Sequence, residues 1–247
     1  MLAPAVTRTV DAYWGGQLGC APARLHEEAP VLLSHAGELA DYRGAYMMRF
    51  GGAAPVISLP PAHVDSLGPR LAAAARESLD ADGRWSEILG PLLDRMVGPA
   101  WVGYASAETL RHVAAEAETR LLTTADAPHV ERLGRAATPD EWDNIASLPR
   151  AGVMVGAFAD GELAAIAGYE VWGESIAHVA VLTHPAHRGR ALGRAAAGSV
   201  AAVALERGLV PQYRSLMSNR ASLAVAAALG FEGYATSLAL RFTGRAQ

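Results

Sequence analysis

The sequence predicts an α/β protein built on a mixed sheet (α+β in its strand pairing), preceded by a smaller α+β N-terminal domain. Three observations predict this. Short apolar runs in the first half are separated by glycine, as short strands are. In the second half Asp160-Gly161 stands between two apolar runs, and this dipeptide tolerates the positive φ of a tight hairpin turn. From Ile176 to Ser215 a strand pattern gives way to a helical one and returns, which is a crossover joining two parallel strands. The pattern shifts near residues 115–120. The expected division is therefore residues 1–117, an N-terminal α+β domain with no assigned role, and residues 118–247, a second domain.

The elements follow in chain order. "PVLLSHAG", "AYMMRFGG" and "APVISLP" read as short strands, and "PAHVDSLGPRLAAAARESL" as a helix with an early proline. Further helices are expected around Trp85–Met96 and Ala107–Glu118. "RLLTTADAPHVERLGRAA" reads as a strand and then a helix capped by Thr124 or Asp126. The Asp160-Gly161 hairpin and the turn at Gly173–Ser175 make an antiparallel meander of three strands. Pro185 cannot donate to a ladder, so the third of these ends just before it. A helix is expected from Arg194 to about Arg207, stopped by Gly208, and then the strand "PQYRSLM". "NRASLAVAAALGF" reads as a helix ending at Gly230, and "EGYATSLALRF" alternates as a last strand.

Composition excludes several classes of function. The 247 residues are 51% hydrophobic and carry a net charge of −4, so there is no broad basic field and no nucleic-acid partner is expected. The chain contains no lysine, which removes Schiff-base chemistry and the P-loop lysine. No G-x-S-x-G or H-E-x-x-H occurs. With one cysteine, Cys20, there is neither an intrachain disulfide nor a cysteine-cluster zinc site, and a reducing cytoplasm is the expected location. The N-terminus lacks the apolar core of a signal peptide. The most apolar run, Ala195–Leu205, is too short for a bilayer, so no membrane partner is expected.

Chemistry concentrates in "HPAHRGRALGRAAAGS", His184–Ser199, between a strand and a helix. The first turn of a helix has backbone N–H groups without internal partners, and the macrodipole adds positive potential there. Gly189, Ala191 and Gly193 let an anion approach that backbone, and Arg188, Arg190 and Arg194 add charge-assisted donors. A pyrophosphate suits such a site. The other reading is an arginine-rich turn that starts a helix. A Rossmann site fits poorly: it needs G-x-G-x-x-G after a parallel strand and an acidic residue about 20 positions on. His184 and His187 bracket Pro185 without an acidic partner, so no metal is expected.

From about Arg120 to Phe242 the chain resembles a GNAT-superfamily N-acetyltransferase. The family's motif of Arg or Gln, two residues, Gly or Ala, one residue, Gly or Ala appears as Arg188-Gly189-Arg190-Ala191-Leu192-Gly193. "VLTHPAHRG" resembles the approach to that motif, and "NRASLAVAAALGF" the Asn-led helix that follows it. The resemblance implies a GNAT-like fold in which two parallel strands splay apart and acetyl-CoA is the co-substrate. It implies that Val181, Leu182 and Thr183 offer backbone to pantetheine, that Gly189 to Arg194 cradle pyrophosphate with Arg188 and Leu192 in the loop, and that Asn219 and Ser222 reach the cofactor. Asn219 also reads as a helix N-cap, and Ser222 as a local backbone hydrogen-bonder.

Acetyl transfer to an amine calls for a base, and for a proton donor to the leaving sulfur. The tyrosine that many relatives carry seven residues after the asparagine is replaced by Ala226. Candidates for the base are His178, which equally reads as a half-buried strand histidine with a structural hydrogen bond, and Glu170 and Glu174, which flank the third-strand hairpin and read more readily as exposed hairpin charges. Tyr213 and Tyr234 are candidates for the acid or for packing. Glu141 and Trp142 lie where the family shapes its acceptor site, and equally suit a helix start with a buried tryptophan.

The function this implies is an acetyl-CoA-dependent N-acetyltransferase acting by direct attack of a small-molecule or peptide amine. The alternative is a non-catalytic acyl-CoA-binding module. In that alternative the first half supplies a regulatory or partner surface; in general its sequence leaves open a lid over the acceptor site, a homodimer surface and a degenerate relative of the second half.

Overall fold

A computed structural model describes residues 2–112, 117–143, 145 and 153–244. The chain packs as two compact units. One comprises Met1–Val6, Gly103–Arg214 and Arg220–Glu232; the other comprises Thr7–Val102, Ser215–Asn219 and Gly233–Gln247.

In the second of these units the strands are β1 (Val31–Ser34), β2 (Gly44–Phe50), β3 (Val56–Leu59), β4 (Leu93–Tyr104) and β10 (Glu232–Phe242), with order β1-β3-β2-β10-β4. β10 pairs antiparallel with β2 from Ala235–Phe50 to Arg241–Gly44. Helices α1 (Pro4–Leu18), α2 (Val64–Glu77) and α3 (Gly83–Leu89) accompany these strands. Leu71, Ala75 and Trp85 bury against Met47, Ile57, Leu238 and Leu240. The short strands and α2 lie where the sequence places them, whereas the expected helix at Trp85–Met96 stops at Leu89. Gly90 takes φ +53° and Pro91 has no N–H to donate, so the helix cannot continue and β4 begins at Leu93. α1 has no counterpart among the sequence expectations.

In the other unit the sheet runs β9-β8-β7-β6-β5, with β5 (Glu118–Leu121), β6 (Met154–Ala159), β7 (Glu162–Trp172), β8 (Ile176–Thr183) and β9 (Val210–Leu216). β6, β7 and β8 form the expected meander. Its turns are tight because Asp160 and Gly161 take φ +54° and +79°, and Gly173 and Glu174 take +53° and +62°. Helix α6 (Leu192–Glu206) crosses over between β8 and β9 and makes them parallel. It starts two residues before the expected Arg194 and stops at Gly208, where φ is +76°. α7 (Arg220–Ala228) precedes β10.

α4 (Ala127–Ala136) has Asp126, one of the two expected caps, at its N-cap position, and follows a single 3-10 turn whose own cap is Thr123 rather than Thr124. The Asp126 carboxylate turns back to accept from the Thr123 N–H at 2.8 Å and from Arg120 at 2.7 and 2.9 Å. The guanidinium, first, and that backbone donor hold its pKa far below the ordinary carboxylate value. α5 (Pro139–Asp143) completes the helices that position the site.

The expected helix at Ala107–Glu118 is absent over its described part. Ser106 accepts from the N–H groups of Thr109 and Leu110, which closes one turn, and the Arg111 N–H then donates to the Leu229 carbonyl at 2.9 Å. Residues 113–116 lie outside the described residues, and Glu118 opens β5.

The sheet of this unit has two dressed faces. A Cβ on Gly193 would collide with Thr183 Oγ1 and touch Val181, so the odd-numbered side chains of β8 face α6. Leu182 and Ala180 pack with Leu133 of α4, Trp142 of α5, Ile145, Leu163 and Ile166, so the even-numbered ones face α4 and α5. Strand periodicity makes this separation strict.

The close of α7 gives a stability test. Gly230 has φ +81°, and a Cβ there would strike the Thr109 carbonyl oxygen. Gly230→Ala should lose about 3 kcal/mol from the strained φ and the collision together, read as a shift in urea midpoint at unchanged slope.

Candidate active site

The site forms where β8 and β9 part. Their parallel register runs Ile176–Val210, Ala177–Pro211, His178–Gln212 and Val179–Tyr213, and no pair follows, although β8 continues to Thr183 and β9 to Leu216. β8 keeps its other partner to the end, with Val181, Leu182 and Thr183 opposite Ala167, Ile166 and Ala165 of β7. One edge of Val181–Thr183 is thus free of β9. The Leu182 side chain lies in the apolar cluster, which leaves its backbone to serve that edge.

Past Thr183 the chain turns sharply. Pro185–His187 form one 3-10 turn, in which the Ala186 N–H donates to His184 Nδ1 at 3.1 Å. Gly189 then takes φ +81° and Ala191 the left-handed φ +62°. Ala191 is the N-cap of α6 and offers no side-chain oxygen to its first turn. Small residues thus bring bare backbone to the head of the helix, where an anion is favoured.

The arginines of this loop are held by neighbours. Arg188 donates to Glu141 Oε1 at 2.6 Å, and Arg190 Nη1 contacts His187 Nδ1 at 2.9 Å with Asp160 3.8 Å away. The Nε of Arg194 is buried and has no hydrogen-bond partner among the described residues. Glu141 also closes a capping box with Thr138, and the Thr138 backbone donor, first, holds its carboxyl below the ordinary value. Trp142 packs against the apolar cluster, its six-membered ring so close to Gly134 that a Cβ there would collide with it.

The other candidates divide between the two faces. His178, half-buried on the α4 side, lies opposite Glu170 of β7 and Gln212 of β9. The Trp172 ring stacks on its imidazole at 3.9 Å and 12°. His178 Nδ1 lies 3.0 Å from Gln212 Oε1. Burial, partly offset by that hydrogen bond, lowers its pKa to about 4. Glu170 accepts from Trp172 Nε1 at 3.4 Å. Glu174 is exposed in its turn.

Tyr213 lies on the α6–α7 side, opposite Val179 in the last register pair. It is buried, and Ser222 Oγ donates to its hydroxyl at 3.1 Å. Burial raises its pKa. Ser222 therefore serves Tyr213, a role the sequence does not reveal. Ala226 lies one turn further along α7 and is buried. Asn219 is exposed in the turn before α7. Tyr234 belongs to the other unit, where its hydroxyl donates to Asp11 at 2.5 Å. Two members of the His178 cluster, Gln212 and Tyr104, were not singled out by sequence. Each looks like an ordinary strand residue until the register brings it there.

Residues 124–236 match the family model described as GNAT acetyltransferase. Among solved structures, a GNAT-family acetyltransferase from Colwellia psychrerythraea is similar over 98% of this chain and 98% of its own, with 12% identity and a TM-score of 0.53. Its likeness in fold extends over the N-terminal part as well. A GNAT-family structure from Novosphingobium aromaticivorans is 26% identical over 62% of this chain and 67% of its own, with a TM-score of 0.48. A structure from Salmonella typhimurium, solved with its cofactor acetyl-CoA, is 18% identical over 54% of this chain and 98% of its own, at a TM-score of 0.40. No curated protein matches.

Two measurements test this geometry. Gly193→Ala should push Thr183 aside and weaken binding of a pyrophosphate-bearing ligand. Adding Thr183→Ala removes the colliding oxygen and should restore it, and titration calorimetry on the pair reads the difference. The second concerns pH. His178 takes up its proton near 6.5 when unfolded and near 4 when folded, so the unfolded state binds more protons in between. Stability should fall as pH drops from about 6.5 to about 4, by on the order of 3 kcal/mol from this group. His178→Gln should remove that part of the slope in acid-titration denaturation curves.

Proposed function

We propose that the protein is an acetyl-CoA-dependent N-acetyltransferase whose acceptor is a small-molecule or peptide amine, a reading supported by the match of residues 124–236 to the GNAT acetyltransferase family model. The observation that carries this reading is the end of the β8–β9 pairing at Val179–Tyr213, beside an uncapped helix reached through Gly189 and Ala191. The residues present fit the cofactor. The free edge of Val181–Thr183 suits amide groups, and the loop from Gly189 to Arg194 suits phosphates. Arg188 and Arg190 stand by as exchangeable charge, and Asn219 and Ser222 lie at the start of α7. Acetyl-CoA supplies an acetyl thioester activated toward amines.

The chain's own residues then handle protons. His178 is neutral through the physiological range, so it accepts a hydrogen bond from the amine and takes its proton as the nitrogen turns acidic on bond formation. Glu170, on the same face, attracts a cationic acceptor toward His178. Tyr213 keeps its proton because burial raises its pKa, and its hydroxyl can give that proton to the departing sulfur. Ser222 aims the hydroxyl from within one turn of Ala226. The neighbouring strand thus offers the phenol that α7 lacks. Base and acid stand on opposite faces of the sheet at its gap, which is where a reaction running through the gap needs them. Glu141 contributes through Arg188, and Trp142 through packing at the same helix. A cytoplasmic setting, where acetyl-CoA is made and used, goes with this function.

The test is thiol release from acetyl-CoA with a panel of amines. Amine-dependent release is expected, with kcat down about 10²-fold in His178→Gln and about 10-fold or more in Tyr213→Phe, at unchanged acetyl-CoA affinity. Tight acetyl-CoA binding without turnover by any amine would instead make the domain an acyl-CoA-binding module.

A further inference from the structure

His178 is fixed more tightly than a strand histidine needs to be. Trp172 covers the face of its ring at 3.9 Å, and Gln212 meets its Nδ1 edge at 3.0 Å. Gln212 is fully buried, and its Nε2 donates to the hydroxyl of Tyr104, also fully buried, at 2.7 Å. The three groups come from β8, β9 and the end of β4, and the Ala105 N–H donates to the Pro211 carbonyl at 3.1 Å just beside them. An amide has distinct ends. If Nε2 donates to Tyr104, then Oε1 is left to accept, and only a proton on His178 Nδ1 can satisfy it. With the amide reversed, Nδ1 would accept and the proton would sit on Nε2, leaving no lone pair for an amine.

We propose that Gln212 and Tyr104 are positioning residues that hold His178 in the Nδ1–H tautomer and keep the Nε2 lone pair available to the acceptor amine. The proposal rests on His178 being the base of an acetyltransferase. The arrangement follows the logic by which a buried partner fixes a catalytic imidazole, with a neutral amide in place of a carboxylate. An amide fixes the tautomer without adding charge. A carboxylate would do the same and also raise the basicity of the ring. Glu170 from β7 and Arg214 from β9 act on His178 with opposite sign, so they do not select one nitrogen over the other.

The decisive measurement is long-range proton–nitrogen NMR of the histidine rings in the full-length protein at neutral pH, with His178 assigned by its loss in His178→Gln. The wild type should show the proton on Nδ1. Gln212→Leu, of similar volume and without an amide, should move it to Nε2 and lower kcat about 10- to 100-fold, with KM for acetyl-CoA unchanged. Gln212→Glu retains the acceptor oxygen, so it should keep the Nδ1–H tautomer and shift the ring's titration upward. Should Gln212→Leu fail to fold, the wild-type spectrum and Tyr104→Phe still decide. Tyr104→Phe frees the amide to turn and should give a mixture of tautomers. A proton on Nε2 in the wild type, or a tautomer unaffected by Gln212→Leu, would overturn the proposal. A protein with the expected tautomer but no turnover would overturn the acetyltransferase reading and leave the hydrogen-bond relay standing.

Discussion

The geometry of the candidate site depends on one interruption in a ladder of hydrogen bonds. β8 and β9 pair for four residues and stop at Val179–Tyr213, while both strands continue. A sheet normally gains by extending such a ladder, because an unpaired buried backbone group costs about as much as a lost hydrogen bond. The partial pairing has identifiable supports. β7 holds β8 straight to Thr183. α6 comes so close to β8 that a Cβ at position 193 would collide with the Thr183 hydroxyl. Tyr213, bonded to Ser222 and tilted against Phe231, ties β9 to α7 and the turn that follows it. Each strand thus follows its own layer, and the gap between them opens by geometry.

The alternation of strands gives that gap its two chemistries. Residues opposite in register share a face, so His178, Glu170 and Gln212 belong together and Tyr213 cannot join them. The α4–α5 face carries a neutral imidazole with carboxylate and indole around it. The α6–α7 face carries a phenol kept protonated by burial. Desolvation acts on both groups and favours the uncharged form of each. On the proposed function, the same physical cause would prepare one group to accept a proton and the other to give one.

What the sequence discloses is local. Asp160-Gly161, Gly208 and Gly230 name their own turns, since few other residues take those φ values without strain. The meander and crossover follow from two-residue periodicity and from Pro185. The turn from Arg188 to Gly193 is legible because its small residues and arginines are neighbours in sequence. What stays hidden depends on pairing at a distance. β10 belongs beside β2, nearly the whole chain away. Gln212 and Tyr104 become partners only through the fold, as do Ser222 and Tyr213. The start of β4 reads as helix because Leu89, Leu92, Leu93 and Met96 recur at helical spacing; the stop at Gly90-Pro91 is the signal that outweighs that pattern. Glu141 in its capping box with Thr138 and Trp142 against the apolar cluster fit the helix-start reading of the sequence, while the bond from Arg188 to Glu141 is a long-range partner the sequence does not show.

The bond between Arg188 and Glu141 bears on how the loop can take up phosphate. Both side chains are partly exposed, and such a pair contributes about 0–1 kcal/mol. Breaking it therefore costs little, while a phosphate offers Arg188 a more highly charged and equally planar-compatible set of oxygens. Meanwhile Glu141 keeps its capping box with Thr138, so α5 does not depend on the arginine. Arg190 is in a similar position between His187 and Asp160. The arginines are thus parked on weak neighbours close to where they would be used, which limits the conformational entropy they lose on binding. The stronger and less exchangeable part of the candidate site is the backbone at the head of α6, fixed by the left-handed Ala191 and by the close approach of Gly193 to Thr183.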